Sequence, residues 1–410
     1  MKVLLLTQVL PFPPDSGPKV KTWNLIKWLG RRHEVILASF VRGETARELE
    51  MLRRYCRAVH VVPMRRGALR DAGFLLASLA LGESFLMRRD QRAAMQALVR
   101  RLARETQFDI VHADQLNMAQ YAAHVPGART VLDAHNALWV LYRRLAETTP
   151  PGPRRWLLAR EWRRLREYEG RVGRAVGAVL AVSREDRDAL AEAIGSGRDI
   201  TVLPIAVDVD EIQPLRRRPD ADRIVHLGTM YWPPNVDAVR WFAARVYPRV
   251  RAARPDVGFD IIGARPPREI RALATPGSGI QVAGYVADPT AHLESAAVVV
   301  VPVQAGSGMR VKILTALAQG LPVVSTSVGC EGIAVESGVH LLVADAPADF
   351  AAAILRLLND RAAADQLGAN GRRLMEERYD YRQVYAPLDR IYEQTLEGAA
   401  PSAPVGGAVG

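Results

Sequence analysis

The chain has only two cysteines in 410 residues, Cys56 and Cys330. Their spacing matches no metal or redox motif, and two distant thiols make no disulfide framework, which is typical of a protein in a reducing compartment. No stretch approaches 18 apolar residues, so a membrane-spanning helix is not expected. The apolar run Val3–Leu6 is too short for a signal peptide, and we expect it to form the first buried strand.

Aromatic residues are also scarce, at 6% of the chain, and they are not interleaved with the basic clusters. A surface that stacks single-stranded nucleic acid is therefore disfavoured. The Asp-x-Asp triplet Asp208-Val209-Asp210 falls in a proline-rich stretch rather than after a strand, and we predict neither a metal nor a cofactor. The formal net charge is +11, which favours acidic partners such as nucleotide phosphates or an anionic membrane.

A glycine loop with two cations follows an apolar segment in the C-terminal half. The run Ala296–Val301 predicts a buried strand, and Gly306-Ser307-Gly308 comes soon after it. Arg310 and Lys312 then fall in the first turns of an apolar helix, which Gly320 is placed to end. Such a strand–loop–helix junction binds anions through free N–H groups, and two cations beside it favour a diphosphate.

This loop differs from two familiar phosphate loops. No Gly-Lys-Ser/Thr closes it, and Val311 stands where a dinucleotide fingerprint has its third glycine, which disfavours a nicotinamide dehydrogenase. The alternative is an ordinary turn with solvated basic residues. However, two cations at a helix N-terminus oppose its dipole unless an anion compensates them.

Strand and helix signals alternate in both halves of the chain, which predicts parallel sheets covered by helices. We expect an α/β fold of two Rossmann-like, doubly wound domains that face each other across a cleft. The predicted divisions are an N-terminal Rossmann-like domain at 1–196, a linker at 197–222, a C-terminal Rossmann-like domain at 223–376, a segment at 377–397 whose helix Tyr381–Leu396 packs back on the N-terminal domain, and a disordered tail at 398–410.

Several ordered segments resemble the GT-B glycosyltransferases, of the broad family-4 type and its bacterial exopolysaccharide-associated members. They are Pro11–Gly17, Phe108–His112, Asp133–Asn136, Ala181–Ser183, Gly228–Met230 with Trp232–Asn235, Gly284–Asp288, the glycine loop with Arg310 and Lys312, and Ser327–Gly332. Each segment alone is a weak signal, but their order and spacing over nearly the whole chain are specific.

The resemblance implies that the domain at 1–196 is on the acceptor side and that the domain at 223–376 binds the nucleotide sugar. It also implies roles for individual residues. Ser307, Gly308, Arg310 and Lys312 would hold the nucleotide diphosphate. Thr229, at the start of the donor domain, would also contact the nucleotide-sugar donor, and backbone near Val286 would hold the nucleobase. Glu331 would lie near the donor sugar or ribose, although a solvated loop acid is the alternative. Gly17 would let the first loop approach the donor phosphate or acceptor. His135 would lie near the reacting sugar, unless it is a strand-end histidine bound to backbone.

Two departures from the family pattern bear on activity. Ala305 and Thr315 replace the two acidic residues that often bracket the phosphate loop, and Gly228-Thr229-Met230 replaces the usual arginine and lysine after the first donor-domain strand. The implied function is a retaining glycosyltransferase that moves a sugar from a nucleotide donor to a hydroxyl of a glycan or lipid-linked acceptor. The alternatives are a nucleotide-sugar-binding protein without transferase activity and a GT-B-shaped nucleotide-sugar epimerase.

A basic segment with an apolar centre lies between Arg65 and Arg104. It predicts either helices with basic outer faces or a surface for anionic lipid, which would suit a lipid-linked acceptor. We therefore expect a cytoplasmic protein that is peripheral at the inner membrane face. Trp156 and Trp162 are interpreted as helix packing rather than sugar stacking.

Overall fold

The computed structural model describes residues 1–43, 45–195 and 197–398. These divide into two compact units. The first comprises Met1–Ile205 together with the segment from Val384, and the second comprises Ala206–Gln383. Within the described ranges, no helix is long and apolar enough to cross a membrane. Most of the predicted tail, residues 399–410, lies outside the described residues.

The first unit contains a seven-stranded parallel sheet. Its strands are β1 (Lys2–Thr7), β2 (Glu34–Val41), β3 (Ala58–Pro63), β4 (Ile110–Asp114), β5 (Arg129–Ala134), β6 (Ala178–Ala181) and β7 (Ile200–Val202). They pair in the order β3-β2-β1-β4-β5-β6-β7, so the winding direction reverses between β1 and β4. β4 is buried along its whole length and β1 is buried from Val3 onward, as expected for central strands of a parallel sheet with helices on both faces.

Helices connect these strands and cover the sheet. They are α1 (Gly17–Leu29), α2 (Ala46–Leu52), α3 (Ala68–Leu81), α4 (Phe85–Asp90), α5 (Ala93–Glu105), α6 (Leu116–Ala122), α7 (Leu138–Thr148), α8 (Pro153–Ala175) and α9 (Arg184–Ile194). Trp162 packs on the buried Trp139, with ring centroids 6.3 Å apart, as the sequence predicts. The prediction for Trp156 is wrong, because that side chain is 60% exposed.

The second unit contains a six-stranded parallel sheet of the same winding. Its strands are β8 (Arg223–Leu227), β9 (Gly258–Ile262), β10 (Ile280–Gly284), β11 (Ala296–Val301), β12 (Val323–Ser325) and β13 (Leu342–Val343). The order β10-β9-β8-β11-β12-β13 reverses between β8 and β11. Both sheets thus have the arrangement of doubly wound nucleotide-binding folds, in which ligands bind at the carboxyl ends of the strands beside this reversal.

The helices of the second unit are α10 (Pro233–Trp241), α11 (Tyr247–Ala253), α12 (Arg268–Arg271), α13 (Thr290–Glu294), α14 (Val311–Ala318), α15 (Ser327–Cys330), α16 (Pro347–Asn359) and α17 (Arg361–Leu374). Two π-helical turns, Phe242–Val246 and Met375–Tyr379, follow α10 and α17. The last helices are α18 (Tyr381–Val384), which crosses the division between the units, and α19 (Leu388–Glu397), which belongs to the first unit. The predicted single helix Tyr381–Leu396 is therefore two helices.

The stretch 197–222 is not the free linker that its prolines indicate. Ile200–Val202 forms β7 and extends the first unit beyond residue 196. Residues 215 and 217 are hydrogen-bonded to the second unit. The Leu215 N–H donates to the Gln319 carbonyl at 2.9 Å, and the buried Arg217 side chain donates to the Ala297 carbonyl at 2.9 Å. The prolines in this stretch thus mark an irregular segment that is packed on the protein rather than a flexible linker.

Candidate active site

The glycine loop of the second unit runs from the end of β11 to the start of α14. Gly308 has a φ of +75°, a left-handed conformation that other residues rarely adopt. A Cβ on Gly306 would lie 2.4 Å from Arg310 Nη2, so glycine there leaves space for the guanidinium. Arg310 Nη1 donates to the carbonyl of Ser307 at 2.6 Å and also to that of Gly308. The arginine therefore shapes the loop from which it projects.

Helix α14 ends in the way that its sequence predicts. Gly320 has a φ of +70°, and its N–H donates to the Leu317 carbonyl at 2.9 Å. The Leu321 N–H donates to the Ala316 carbonyl at the same distance, which completes a Schellman motif. The chain then turns directly into β12. Helix α14 thus connects β11 to β12, and Lys312 lies in its first turn.

Lys312 joins the ends of the two strands at which the winding reverses. Its Nζ donates to Asn235 Oδ1 at 2.9 Å, and Asn235 Nδ2 donates to the Thr229 carbonyl at 2.9 Å. Thr229 follows β8 and Asn235 is at the start of α10, whereas Lys312 follows β11. A Cβ on Gly228 would lie 2.6 Å from Lys312 Nζ, so glycine there admits the ammonium group.

The site is electrostatically prepared for an anion. Burial, assisted by the nearby Arg310 charge, lowers the pKa of Lys312 to about 7. The buried His226 on β8 donates from Nδ1 to the Val300 carbonyl at 2.9 Å. Burial, together with the charge of Lys312, holds the pKa of His226 well below its usual value, so this imidazole is neutral. The hydrogen-bond partner of the Lys312 ammonium is the neutral Asn235 amide. A bound anion would therefore supply the negative counter-charge and stabilise the charged form of Lys312.

The other predicted residues of this unit lie at the same edge of the sheet. Val286 is half-buried in the loop after β10, two strands away from β8. Glu331 is half-buried directly after α15, which follows β12. Gly329 is needed there because a Cβ would lie 2.3 Å from Ser325 Oγ and 2.7 Å from the Val301 carbonyl oxygen. Hydrogen bonds through Asn235 thus connect Thr229 to Lys312, and Val286 and Glu331 lie at the same edge of the sheet.

Asn235 has a role that sequence reasoning missed. The sequence marks it only as part of the segment Trp232–Asn235, whereas in the fold its side chain contacts the Thr229 carbonyl and Lys312. Its position directly after two prolines at a helix start, downstream of the first strand of the domain, is the signal that could have marked it. The contact with Lys312 spans 77 residues of chain.

In the first unit, His135 is held by a carboxylate. His135 follows β5, and its Nε2 lies 2.8 Å from Oδ1 of the buried Asp114 at the end of β4. Thr22 on α1 donates from Oγ1 to the other oxygen, Oδ2, at 2.9 Å. The Thr22–Asp114 hydrogen bond links α1, which follows β1, to the end of β4. As in the second unit, it thus spans the point at which the winding of the sheet reverses. With Nε2 donating to Asp114, Nδ1 of His135 is its basic nitrogen, and Gln115 Nε2 lies 3.5 Å from it.

Asp133 and His112 belong to a second, fully buried group. Asp133 pairs with the Lys21 ammonium and lies 3.3 Å from His112 Nε2, while His112 Nδ1 lies 2.7 Å from the Tyr392 hydroxyl of α19. Although burial opposes ionisation, Lys21 and His112 hold the pKa of Asp133 below its usual range. Both ring nitrogens of His112 are occupied, which gives this histidine a structural role.

Asp114, Asp133 and His135 bring three potential metal-ligand atoms within 4.8 Å of one another. However, the Lys21 ammonium already neutralises Asp133, and the Thr22 hydroxyl uses one oxygen of Asp114. A cation in this group would face the lysine charge directly, so the donor set does not fit a resident metal. The arrangement instead fits an imidazole, that of His135, which Asp114 orients next to the buried Lys21–Asp133 ion pair.

Two buried carboxylates fix the backbone just after His135. The Ala137 N–H donates to Asp186 Oδ1 at 2.8 Å, and the N–H groups of Leu138 and Trp139 donate to Glu169 at 2.9 and 3.0 Å. Burial raises the pKa of Glu169 to about 8 despite these N–H groups. The start of α7 is thus capped by side chains from α8 and α9. Gly17 opens α1 at the carboxyl-end edge of this sheet.

Comparison with known proteins identifies the family. Residues 16–211 match the model of Glycosyltransferase Family 4, and residues 221–360 match that of Glycosyl transferases group 1. The chain belongs to the GT-B glycosyltransferases of the family-4 type. The resemblance and the fold class expected from the sequence are thereby confirmed.

A curated protein and two solved structures illustrate the relationships of this glycosyltransferase. It is 24% identical over 172 residues to an uncharacterised 44.6 kDa protein in the cps region of Klebsiella pneumoniae, a match that spans 40% of the chain and 44% of that relative. Anabaena Alr3699/HepE in complex with UDP and glucose has a TM-score of 0.69 at 16% identity, over 96% of this chain and 99% of that one. Sucrose-phosphate synthase (tll1590) from Thermosynechococcus elongatus has a TM-score of 0.72 at 14% identity, over 97% and 100%. At these identities the structures establish the fold alone.

Proposed function

We propose that this glycosyltransferase moves a sugar from a nucleoside diphosphate to a hydroxyl of a glycan or lipid-linked acceptor, with retention of the anomeric configuration. One observation carries the proposal: Lys312 is bound to Asn235 across the winding reversal of the second sheet, beside a glycine loop that Arg310 shapes. Two cations at the N-terminal end of α14, together with the helix dipole, match the charge of a diphosphate.

The diphosphate is the leaving group of the proposed reaction. As the bond between the anomeric carbon and the phosphate oxygen breaks, negative charge develops on the diphosphate, and Arg310, Lys312 and the α14 N-terminus stabilise it. The acceptor hydroxyl forms the new bond on the same face of the sugar and gives its proton to the departing phosphate oxygen. This route needs no protein nucleophile, and Ser307 and Gly308 contribute through the loop that surrounds the phosphates.

His135 is our proposed contribution of the first domain to the reaction. Asp114 fixes its ring and leaves Nδ1 as the basic nitrogen, which suits a hydrogen bond to a sugar hydroxyl. A histidine in this state is also suited to act as a general base, the arrangement of an inverting enzyme. The anomeric configuration of the product distinguishes these roles. For three further residues we retain the roles that the family resemblance implies: Gly17 at the donor phosphate or the acceptor, Val286 at the nucleobase, and Glu331 at the donor sugar or the ribose.

Uridine nucleotides are the first donors to test, because solved neighbours were crystallised with UDP, UDP-glucose, or UDP and glucose. The cps-region relative supports an acceptor from surface polysaccharide assembly. We propose that the protein works in the cytoplasm, where nucleotide sugars are available, and that it needs neither a metal nor a cofactor.

The deciding experiment is a thermal-shift screen of nucleotide sugars, followed by turnover with the donor that stabilises the protein most. Release of nucleoside diphosphate that depends on added acceptor, with a retained anomer by NMR, supports the proposal. Binding without acceptor-dependent release would instead favour the non-catalytic binding protein, for which the replacement of the usual acids by Ala305 and Thr315 is the motive. Interconversion of donor sugars without acceptor would identify an epimerase.

Arg310→Ala and Lys312→Ala are the matched variants for this experiment. Each is expected to lower turnover by roughly a hundredfold or more, as for the loss of one transition-state charge contact. Unchanged melting temperatures without ligand would assign the loss to chemistry or binding rather than folding. Near-wild-type turnover in either variant would refute the phosphate assignment.

A further inference from the structure

The exposed large apolar side chains of the first unit are concentrated in one place. Among its described residues, Leu69 is 92% exposed, Leu76 68% and Leu81 54%, and all three are on α3. The fourth, Trp156, is 60% exposed at the start of α8. Scattered surface leucines are ordinary, but an apolar side of a helix without cover requires an explanation.

Helix α3 is apolar on its outward side as well as on its inward side. Arg70 and Asp71 are its only charged residues, and the exposed positions follow a helical spacing along one side: Leu69, Ala72, Gly73, Leu76 and Ala80. The inward side already has its own contacts, for example the Arg92 guanidinium 4.8 Å from the Phe74 ring. From Leu69 to Leu81 the exposed side is about 18 Å long.

The start of α8 continues this surface. Arg160 donates from Nη1 to the Glu83 carbonyl at 3.1 Å and from Nη2 to the Ser78 carbonyl, so α8 lies beside the C-terminal end of α3. Trp156 precedes Arg160 by one helical turn and therefore lies on the same side of α8. We call the outward side of α3 together with Trp156 the α3 face.

Exposed arginines border the α3 face at both ends. Arg70 donates to the Arg65 carbonyl at 3.4 Å at the start of α3, and Arg154 and Arg155 directly precede Trp156; all four side chains are exposed. Other arginines of the predicted basic segment are committed elsewhere: Arg66 and Arg89 pair with Asp90, and Arg88 pairs with Glu83. The exposed arginines are therefore available to bind an anionic surface, whereas Arg66, Arg88 and Arg89 are held in ion pairs within the protein.

We propose that the α3 face binds the surface of an anionic phospholipid bilayer. Leucine and tryptophan side chains can enter the boundary between headgroups and acyl chains, while the bordering arginines attract the phosphates. A second copy of the chain is the less suitable occupant. A twofold contact through this face would bring its arginine borders against each other. The inference goes beyond the proposed function, because lipid binding requires neither a donor nor an acceptor.

The test is flotation of the full chain with phosphatidylcholine vesicles, with and without one quarter phosphatidylglycerol. We expect at least tenfold tighter binding to the anionic vesicles, and a loss at high salt. Leu69→Ser/Leu76→Ser should weaken binding at least tenfold without changing the melting temperature. Arg65→Glu/Arg70→Glu should weaken it more than twentyfold, since each cation near the surface contributes about fivefold.

The matched control is Arg249→Glu/Arg373→Glu, two exposed arginines of the second unit, which changes the net charge by the same amount. This variant should retain most of the binding. Equal losses in the control and in Arg65→Glu/Arg70→Glu would overturn the proposal, because net charge alone would then explain the attraction. Wild-type binding to neither vesicle would also overturn it. So would a dimer in solution that Leu69→Ser/Leu76→Ser converts to monomer.

Discussion

Nucleotide-sugar binding is predicted to weaken steeply as the pH rises, because of Lys312. Burial and Arg310 lower the pKa of this ammonium to about 7 in the protein without ligand. A bound diphosphate favours the charged form and raises that pKa, so binding takes up a proton. Affinity is therefore full below the ligand-free pKa and is lost as the pH rises above it, until the pKa of the complex is reached.

The size of the effect follows from the ligand-free pKa. If the pKa in the complex lies well above 9, the dissociation constant should rise about fiftyfold between pH 7 and pH 9, which is ~2.3 kcal/mol. The two neighbouring charged or titratable groups do not change over this range, since Arg310 stays charged and His226 stays neutral. A nucleotide sugar such as UDP-glucose is the suitable probe, because its diphosphate diester does not titrate in this interval.

Isothermal titration calorimetry in two buffers of different ionisation enthalpy measures both quantities. Proton uptake should be about half a proton at pH 7 and close to one at pH 8.5. Lys312→Arg is the control, because a guanidinium remains charged and should give a flat profile. A wild-type affinity independent of pH, or the same slope in Lys312→Arg, would refute the assignment of Lys312 to the phosphates.

Three further predictions concern single substitutions. Asn235→Asp should place a carboxylate against Lys312, raise the pKa of that lysine and weaken nucleotide-sugar binding about tenfold or more by calorimetry, whereas Asn235→Leu should retain the pH dependence. Gly228→Ala should displace the Lys312 ammonium, which is 2.6 Å from the added Cβ, so affinity should fall while the melting temperature stays nearly constant. Gly170→Ala should instead destabilise the fold by about 2–4 kcal/mol in urea unfolding, since its Cβ would lie 2.2 Å from the Ala193 carbonyl oxygen; unchanged stability would contradict this close contact of α8 and α9.

Local sequence signals predicted much of the second domain. The apolar run Ala296–Val301 is β11 with the same bounds, and Gly320 ends α14 through its left-handed conformation. Such features depend on a few neighbouring residues, so they can be read directly from the chain. The cations Arg310 and Lys312 also lie where the pattern places them, at the start of the helix after that strand.

Features that depend on residues far apart in the sequence could not be predicted from local patterns. Asn235 and Asp114 acquire their roles only when parallel strands bring Lys312 and His135 beside them. The prolines after residue 196 predict a linker, whereas Ile200–Val202 pairs with β6 and forms a strand. Pairing across the sheet, rather than local preference, determines each of these outcomes.

The return of α19 to the first domain has a consequence for synthesis on the ribosome. Tyr392 supplies the hydroxyl 2.7 Å from His112 Nδ1, and the Tyr385 hydroxyl donates to the Lys21 carbonyl at 3.2 Å. His112 and Lys21 emerge from the exit tunnel first. The two tyrosines emerge only after the whole second domain has been translated. Until then the buried ionic group around Asp133 lacks its last hydroxyl partner. A nascent chain stalled at Gln383 should therefore hold an N-terminal domain that proteases cleave more readily than they cleave it in the released protein.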